Sequence, residues 1–118
     1  MDDQDRIHCA FRVEKKHLNG AGNVHGGAFM AFADYCLFAT ASPVLEGPGV
    51  TMTFACEFLD AAREGELIEG RVEITRAGRS MIFLRGLLTS GGRALFTFSG
   101  TIKRVKRRTP AAAGGETG

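Results

Sequence analysis

The sequence predicts an α+β domain in which one long apolar helix is wrapped by an antiparallel sheet of about five strands. Three observations carry this expectation. The run from Ala28 to Ala41 is apolar on almost every side and rich in good helix formers. One stretch before it and several after it alternate apolar and polar residues with the period of a strand. Gly- and Pro-bearing turns separate those stretches at hairpin spacing. At 118 residues, with 44% hydrophobic and 24% charged residues, the chain is long enough for one domain with a sizeable core. The expected division is a domain over 1–105 and a tail over 106–118.

Taken in order, the chain opens on the acidic, polar Met1-Asp-Asp-Gln-Asp5, the opposite of a secretory signal. Ile7, Cys9, Phe11 and Val13 then alternate with polar or small neighbours and read as a strand. It leads into a glycine-rich loop, Asn19-Gly-Ala-Gly-Asn-Val-His-Gly-Gly27, which feeds the helix. Ser42-Pro43 is the expected helix stop, because proline disfavours helix at the residue before it. About 15 residues at 1.5 Å each reach about 22 Å, short of a membrane's roughly 30 Å hydrocarbon core, so no membrane partner is expected.

After a turn at Glu46–Gly49, Thr51 to Asp60 reads as a strand whose Met52, Phe54, Cys56 and Phe58 should cover the helix. Ile68, Gly70, Val72 and Ile74 alternate with Glu69, Arg71, Glu73 and Thr75, which gives the next strand a solvated outer face. Arg76–Arg79 is a hairpin connection. Ser80 to Thr89 is apolar on both faces apart from Arg85, as expected in the middle of a sheet or at a subunit contact. Following a turn at Ser90–Gly92, Ala94, Phe96, Phe98 and Ile102 alternate in the last strand. The end turns basic over Lys103–Arg108, then small and flexible, and Thr109 onward reads as disordered.

Composition excludes several classes. A net charge of +2 is too small to imply nucleic acid, and no nucleic-acid partner is expected. The basic run is compatible with an anionic ligand, a nucleic acid or a solvated strand end. Cys9, Cys36 and Cys56 stand far apart, odd in number, with no Cys-x-x-Cys. Neither a disulfide framework nor a structural metal is expected, and a reducing cytoplasmic location fits. Cys36 and Cys56 fall at apolar positions and read as core. The sequence has no Gly-x-Ser-x-Gly elbow and no Gly-x-Gly-x-x-Gly, which removes α/β-hydrolase and dinucleotide-binding readings.

One residue breaks the apolar helix. Asp34 is its single charge, and a buried carboxylate without a partner costs several kcal/mol. It is either satisfied structurally or used chemically. Just before it, His25-Gly26-Gly27 puts side-chain-free backbone at the helix N-terminus, where unpaired N–H groups and the dipole favour a carboxylate, a phosphate or a developing oxyanion. Gly26 and Asp34 are eight residues apart, roughly 12 Å along a helix and too far to act on one carbonyl. A second copy running antiparallel would bring Gly26 of one chain to Asp34 of the other, so a shared site implies a homodimer.

His25-Gly26-Gly27 with Asp34 nine residues after the histidine, Asn19 six residues before it, and Pro48-Gly-Val-Thr51 opening the next strand resembles the hotdog-fold acyl-CoA thioesterases of the phenylacetate-pathway type. The similarity runs from about Ile7 to Val105. It implies a hotdog fold, an acyl-CoA thioester as substrate, no further cofactor, and homodimers that commonly pair into tetramers. By the same resemblance Asp34 is the general base or nucleophile, the Gly26 N–H the oxyanion donor, and Asn19 the residue that helps place thioester or water. His25 supports the loop or contacts substrate, and Thr51 supplies a hydroxyl near the carboxylate. Gly27, Arg76, Arg79 and Ser80 lie where the resembling enzymes take up coenzyme A, which implies the same use here. Phe29, Met30, Phe32, Tyr35, Phe54 and Phe58 promise an apolar pocket, with aryl-acetyl, benzoyl and medium-chain acyl groups all open. The alternative readings are a non-catalytic acyl-CoA-binding hotdog protein, a nucleic-acid binder acting through the basic run, and a hotdog dehydratase.

Overall fold

The computed structural model describes residues 9–105. The elements are β1 (Cys9–Arg12), a single 3-10 turn at Lys15–His17, α1 (Gly26–Leu45), β2 (Gly49–Phe58), β3 (Leu67–Ala77), β4 (Met81–Ser90) and β5 (Arg93–Arg104). The five strands form one antiparallel sheet in the order β1-β3-β4-β5-β2, with β4 in the middle but its outer face uncovered in the single chain, where Phe83 is 40% exposed. Ile7 and everything from residue 106, which includes most of the basic run and the tail, lie outside the described residues.

The sheet curls around α1. Phe29, Ala33, Cys36, Leu37, Ala41 and Leu45 form the helix face that is buried against it. From the sheet, Ile68, Val72, Ile82, Leu84, Leu88, Phe96, Phe98 and Ile102 complete the core. Gly70, Gly86 and Gly100, on three neighbouring strands, make the close approach possible. A Cβ on Gly70 would stand 2.7 Å from Cys36 Sγ, and one on Gly100 would stand 2.6 Å from Leu37 Cδ1. Burial, followed by the neighbouring Cys9 thiol, pushes the Cys36 thiol well above the ordinary range, so it is packing material and no nucleophile.

Four boundaries or faces differ from the sequence expectation. The helix does not stop at Ser42-Pro43 but runs 20 residues, Gly26–Leu45, with Pro43 inside its last turns. Proline there forfeits one backbone hydrogen bond, while the Arg104 guanidinium donates to the final carbonyls of Val44 and Leu45 and holds the last turn. Glu46 then ends the helix in the left-handed region. At about 30 Å the helix is long and apolar enough to cross a membrane by those criteria alone, so its length does not exclude a span. In this fold its buried face lies along the sheet. The same contact shows that Arg104, one residue of the basic run, is a structural cap.

In β2 a bulge between Thr51 and Thr53 shifts the register against β5. Thr51 therefore faces inward together with Phe54 and Cys56, and Met52, expected over the helix, is 52% exposed. A second bulge, between Leu88 and Thr89, puts the adjacent Leu95 and Phe96 both in the core and leaves Ala94 outside. On the outer face, Glu69, Arg71 and Glu73, expected to be solvated, are half-buried, with Glu73 paired to Arg85.

Candidate active site

The sequence-predicted residues fall into three places. At the head of α1, the loop from Leu18 to Val24 closes on itself through a bridge between those two residues. Asn19 organises it: its Oδ1 accepts from the N–H groups of Ala21 (2.9 Å) and Asn23 (3.2 Å), and its own N–H donates to Asn23 O. The amide oxygen is thus engaged by the loop, and the amide NH2 has no acceptor among the described residues. Asn23 Oδ1, not singled out from the sequence, is buried there without a partner among the described residues.

His25 is the N-cap of α1. Its Nδ1 accepts from Ala28 N–H at 3.0 Å, which puts the ring proton on Nε2, and its N–H donates to His17 O. The N–H groups of Gly26 and Gly27 find no acceptor among the described residues. They are the free donors of the helix end. Over Gly26 lies the ring of Phe58, at the far end of β2, with Cε2 and Cζ 3.2 Å from where a Gly26 Cβ would stand.

The second place is the flank of α1 beside β2. There Asp34 is half-buried, and the Thr51 hydroxyl donates to its Oδ1 at 2.9 Å. Oδ2 has no hydrogen-bond partner among the described residues. The inward turn of Thr51 at the bulge is what brings its hydroxyl to the helix. Two structural causes, the single carboxylate of α1 and the irregularity of β2, therefore meet in one hydrogen bond.

Arg76, Arg79 and Ser80 occupy the third place, the exposed β3–β4 hairpin. Arg104 ties this hairpin to the C-terminal end of α1, since its guanidinium reaches Gly78 O as well as Leu45 O, and Ser80 O accepts from Arg104 N–H. Within one chain the hairpin is thus at the opposite end of a 20-residue helix from Gly26. The chain alone does not bring Gly26, Asp34 and the hairpin together. Of the expected pocket residues, Phe29 is buried, Phe32 and Phe54 are half-buried, and Met30, Tyr35 and Phe58 are exposed. Phe29 lies under Phe58, whereas Phe32 and Tyr35 stack with each other on another flank, next to Phe11. Among the described residues no cluster of His, Cys, Asp and Glu has the makings of a metal site.

The geometry is that of a helix N-terminus with open donors and a carboxylate held on one oxygen. Comparisons with known proteins bear on the family. A family model described as the thioesterase superfamily matches residues 21–97. A Pseudomonas aeruginosa protein whose name proposes an esterase is 31% identical over 104 residues, covering 85% of this chain and 76% of that one. Acyl-coenzyme A thioesterase 13 of Mus musculus is 26% identical over 87 residues, or 73% of this chain and 62% of that protein. Among solved structures, a mutant of the phenylacetic acid degradation protein PaaI from Thermus thermophilus superposes with a TM-score of 0.74 at 30% identity, covering 81% of this chain and 82% of that one.

Proposed function

The chain belongs to the thioesterase superfamily as a hotdog-fold thioester hydrolase, and from that premise we propose that it cleaves an aryl- or medium-chain acyl-CoA thioester in a site shared by two copies of itself. The Gly26 N–H of one chain polarises the thioester carbonyl, and Asp34 of the other, held by Thr51, drives the attack. In one route the carboxylate takes a proton from water, whose oxygen adds to the carbonyl carbon. In the other the carboxylate itself attacks to give a mixed anhydride that water then opens. In both, the C–S bond breaks and coenzyme A leaves as its thiol, with the free acid as second product. Asn19, through its amide NH2, and His25, through loop support, keep the carbonyl end in place.

The observation that carries this reading is the Asp34–Thr51 pair: one carboxylate oxygen is fixed by a hydroxyl and the other is open, on a helix otherwise chosen for apolarity. The need for two chains follows from the roughly 12 Å between Gly26 and Asp34. β2 supports it independently. As an edge strand, β2 (Gly49–Phe58) has no neighbour on one side among the described residues, and Val50 and Met52 on it are exposed. Antiparallel pairing of two β2 strands would set the Thr51 end of one beside the Phe58 end of the other, and hence one chain's Asp34 near its partner's Gly26. That arrangement also turns the hairpin carrying Arg76, Arg79 and Ser80 toward the partner's Gly26 and Gly27, where guanidinium groups suit the phosphates of coenzyme A. Pairing of such dimers into tetramers extends the family resemblance. The free thiols Cys9, Cys36 and Cys56 fit a cytoplasmic setting.

The test is thiol release from a panel of aryl- and aliphatic-CoA esters by wild type and Asp34→Asn, with dimerisation followed by light scattering. Loss of about a hundredfold or more in a folded mutant is the expected result. Absence of turnover on every ester, with melting still raised by acyl-CoA, would replace this reading by that of a binding protein.

A further inference from the structure

We propose that Phe58 is the residue that selects the acyl group, as an aromatic wall beside the carbonyl-binding N–H of Gly26; this rests on the thioesterase reading above. Three observations carry it. The ring sits beside the helix start, with two of its carbons 3.2 Å from the Gly26 Cβ position, so it is within reach of the acyl carbons next to a carbonyl whose oxygen meets the Gly26 N–H. The ring is held in place: it packs edge-on to Phe96 at 4.9 Å between centroids and lies 6.3 Å from Phe29, both fully or almost fully buried. Yet in the single chain Phe58 is 55% exposed, far more than its neighbours in the same aromatic cluster, so its outer side is left for the shared site at the β2 seam. A large apolar ring fixed from below and open above, next to free backbone donors, is a preformed contact surface.

The chemistry of the wall gives the direction of selection. An aromatic face and edge reward a flat, unsaturated acyl group through ring–ring geometry beyond simple area burial, and a flexible alkyl chain gains only the area. Phe58 therefore raises turnover of thioesters bearing a ring close to the carbonyl relative to straight-chain ones. Leucine at this position would keep the apolar area and lose the ring.

The experiment measures kcat/KM for phenylacetyl-, benzoyl-, hexanoyl- and octanoyl-CoA with wild type, Phe58→Leu and Phe58→Tyr, with the dimer checked by light scattering. The expected result is a fall of roughly two- to tenfold in the aryl-to-alkyl ratio for Phe58→Leu and its retention in Phe58→Tyr. An equal change for all four esters, or an unchanged ratio, overturns the proposal. So does dissociation of both variants into monomers, which would make Phe58 an interface residue. If wild type hydrolyses none of the four, the thioesterase reading fails separately. The wall is then read from melting: aryl-CoA protection must drop in Phe58→Leu more than alkyl-CoA protection, and equal protection overturns it.

Discussion

Replacing Gly26 by proline removes the one atom on which the oxyanion assignment rests, and the fold is built to tolerate it. Gly26 is the first residue of α1, the helical position where proline is favoured because its N–H has no partner within the helix. The preceding His25 has φ −75° and ψ 154°, in the extended region that a following proline demands. The helix should survive Gly26→Pro while the donor disappears. Gly26→Ala is the control: it keeps the N–H and adds a Cβ at the same place, 3.2 Å from the Phe58 ring, which asks for a shift of a few tenths of an ångström and leaves the ring on Phe96 and Phe29. Loss of one oxyanion donor costs about 2.7–4 kcal/mol, or about 10²–10³ in kcat, whereas the alanine variant should stay within about tenfold of wild type. Steady-state thiol release, with circular dichroism to confirm the helix, makes the comparison. A proline variant as active as the alanine variant would refute the assignment of the Gly26 N–H.

Thr51→Val keeps the shape of the side chain and deletes its hydrogen bond to Asp34; with a half-buried carboxylate open to water on its other oxygen, kcat/KM should fall about tenfold, and Thr51→Ser should restore most of it. Equal activity of all three proteins by the same thiol assay would make the pair structural. Gly86→Ala would set a Cβ 2.9 Å from the Arg71 carbonyl oxygen in the middle of the sheet, where backbone cannot yield, so stability should drop by about 1–3 kcal/mol. Unfolding in urea checks it, and an unchanged midpoint would contradict the tight wrapping. For Glu66, burial raises the carboxyl pKa, but the hydrogen bonds from Arg63 N–H and Ser90 and the Arg93 guanidinium outweigh it, leaving the value below the ordinary 4.5. A lowered folded pKa means stability that is present above the ordinary value and is lost as pH falls through the folded one. Glu66→Gln should therefore melt lower than wild type at neutral pH, with the gap closing below about pH 4.5; a gap independent of pH would contradict the pairing.

The helix, the strands and the central place of β4 were legible because each leaves a periodic or composition signal. Asp34 stood out for the same reason, as a charge in an apolar run. Details set by tertiary contact were not legible. Pro43 reads locally as a stop, whereas burial of Leu45 and the distant Arg104 guanidinium on the Val44 and Leu45 carbonyls support the last turn. The bulge at Thr51–Thr53 breaks the alternation that put Met52 inside, and no residue there announces it. Gly70 looked like one member of an alternating strand, although its purpose is to admit the Cys36 sulfur. Phe58 was one of several candidate pocket residues until the antiparallel run of β2 past α1 laid its ring over Gly26. The nearness of Thr51 to Asp34 was available from family resemblance alone, since 17 residues of sequence separate them.

The shared site is tested most directly by subunit complementation. Asp34→Asn and Gly26→Pro proteins, each inactive as a homodimer, are mixed, unfolded and refolded together so that hybrid dimers form. If each site takes Gly26 from one chain and Asp34 from the other, every hybrid regains one intact site and one doubly defective site. With half of the dimers hybrid, thiol release should return to about a quarter of the wild-type rate. A refolded, dimeric mixture that stays as inactive as its parents would place both groups of a site in one chain and contradict the account.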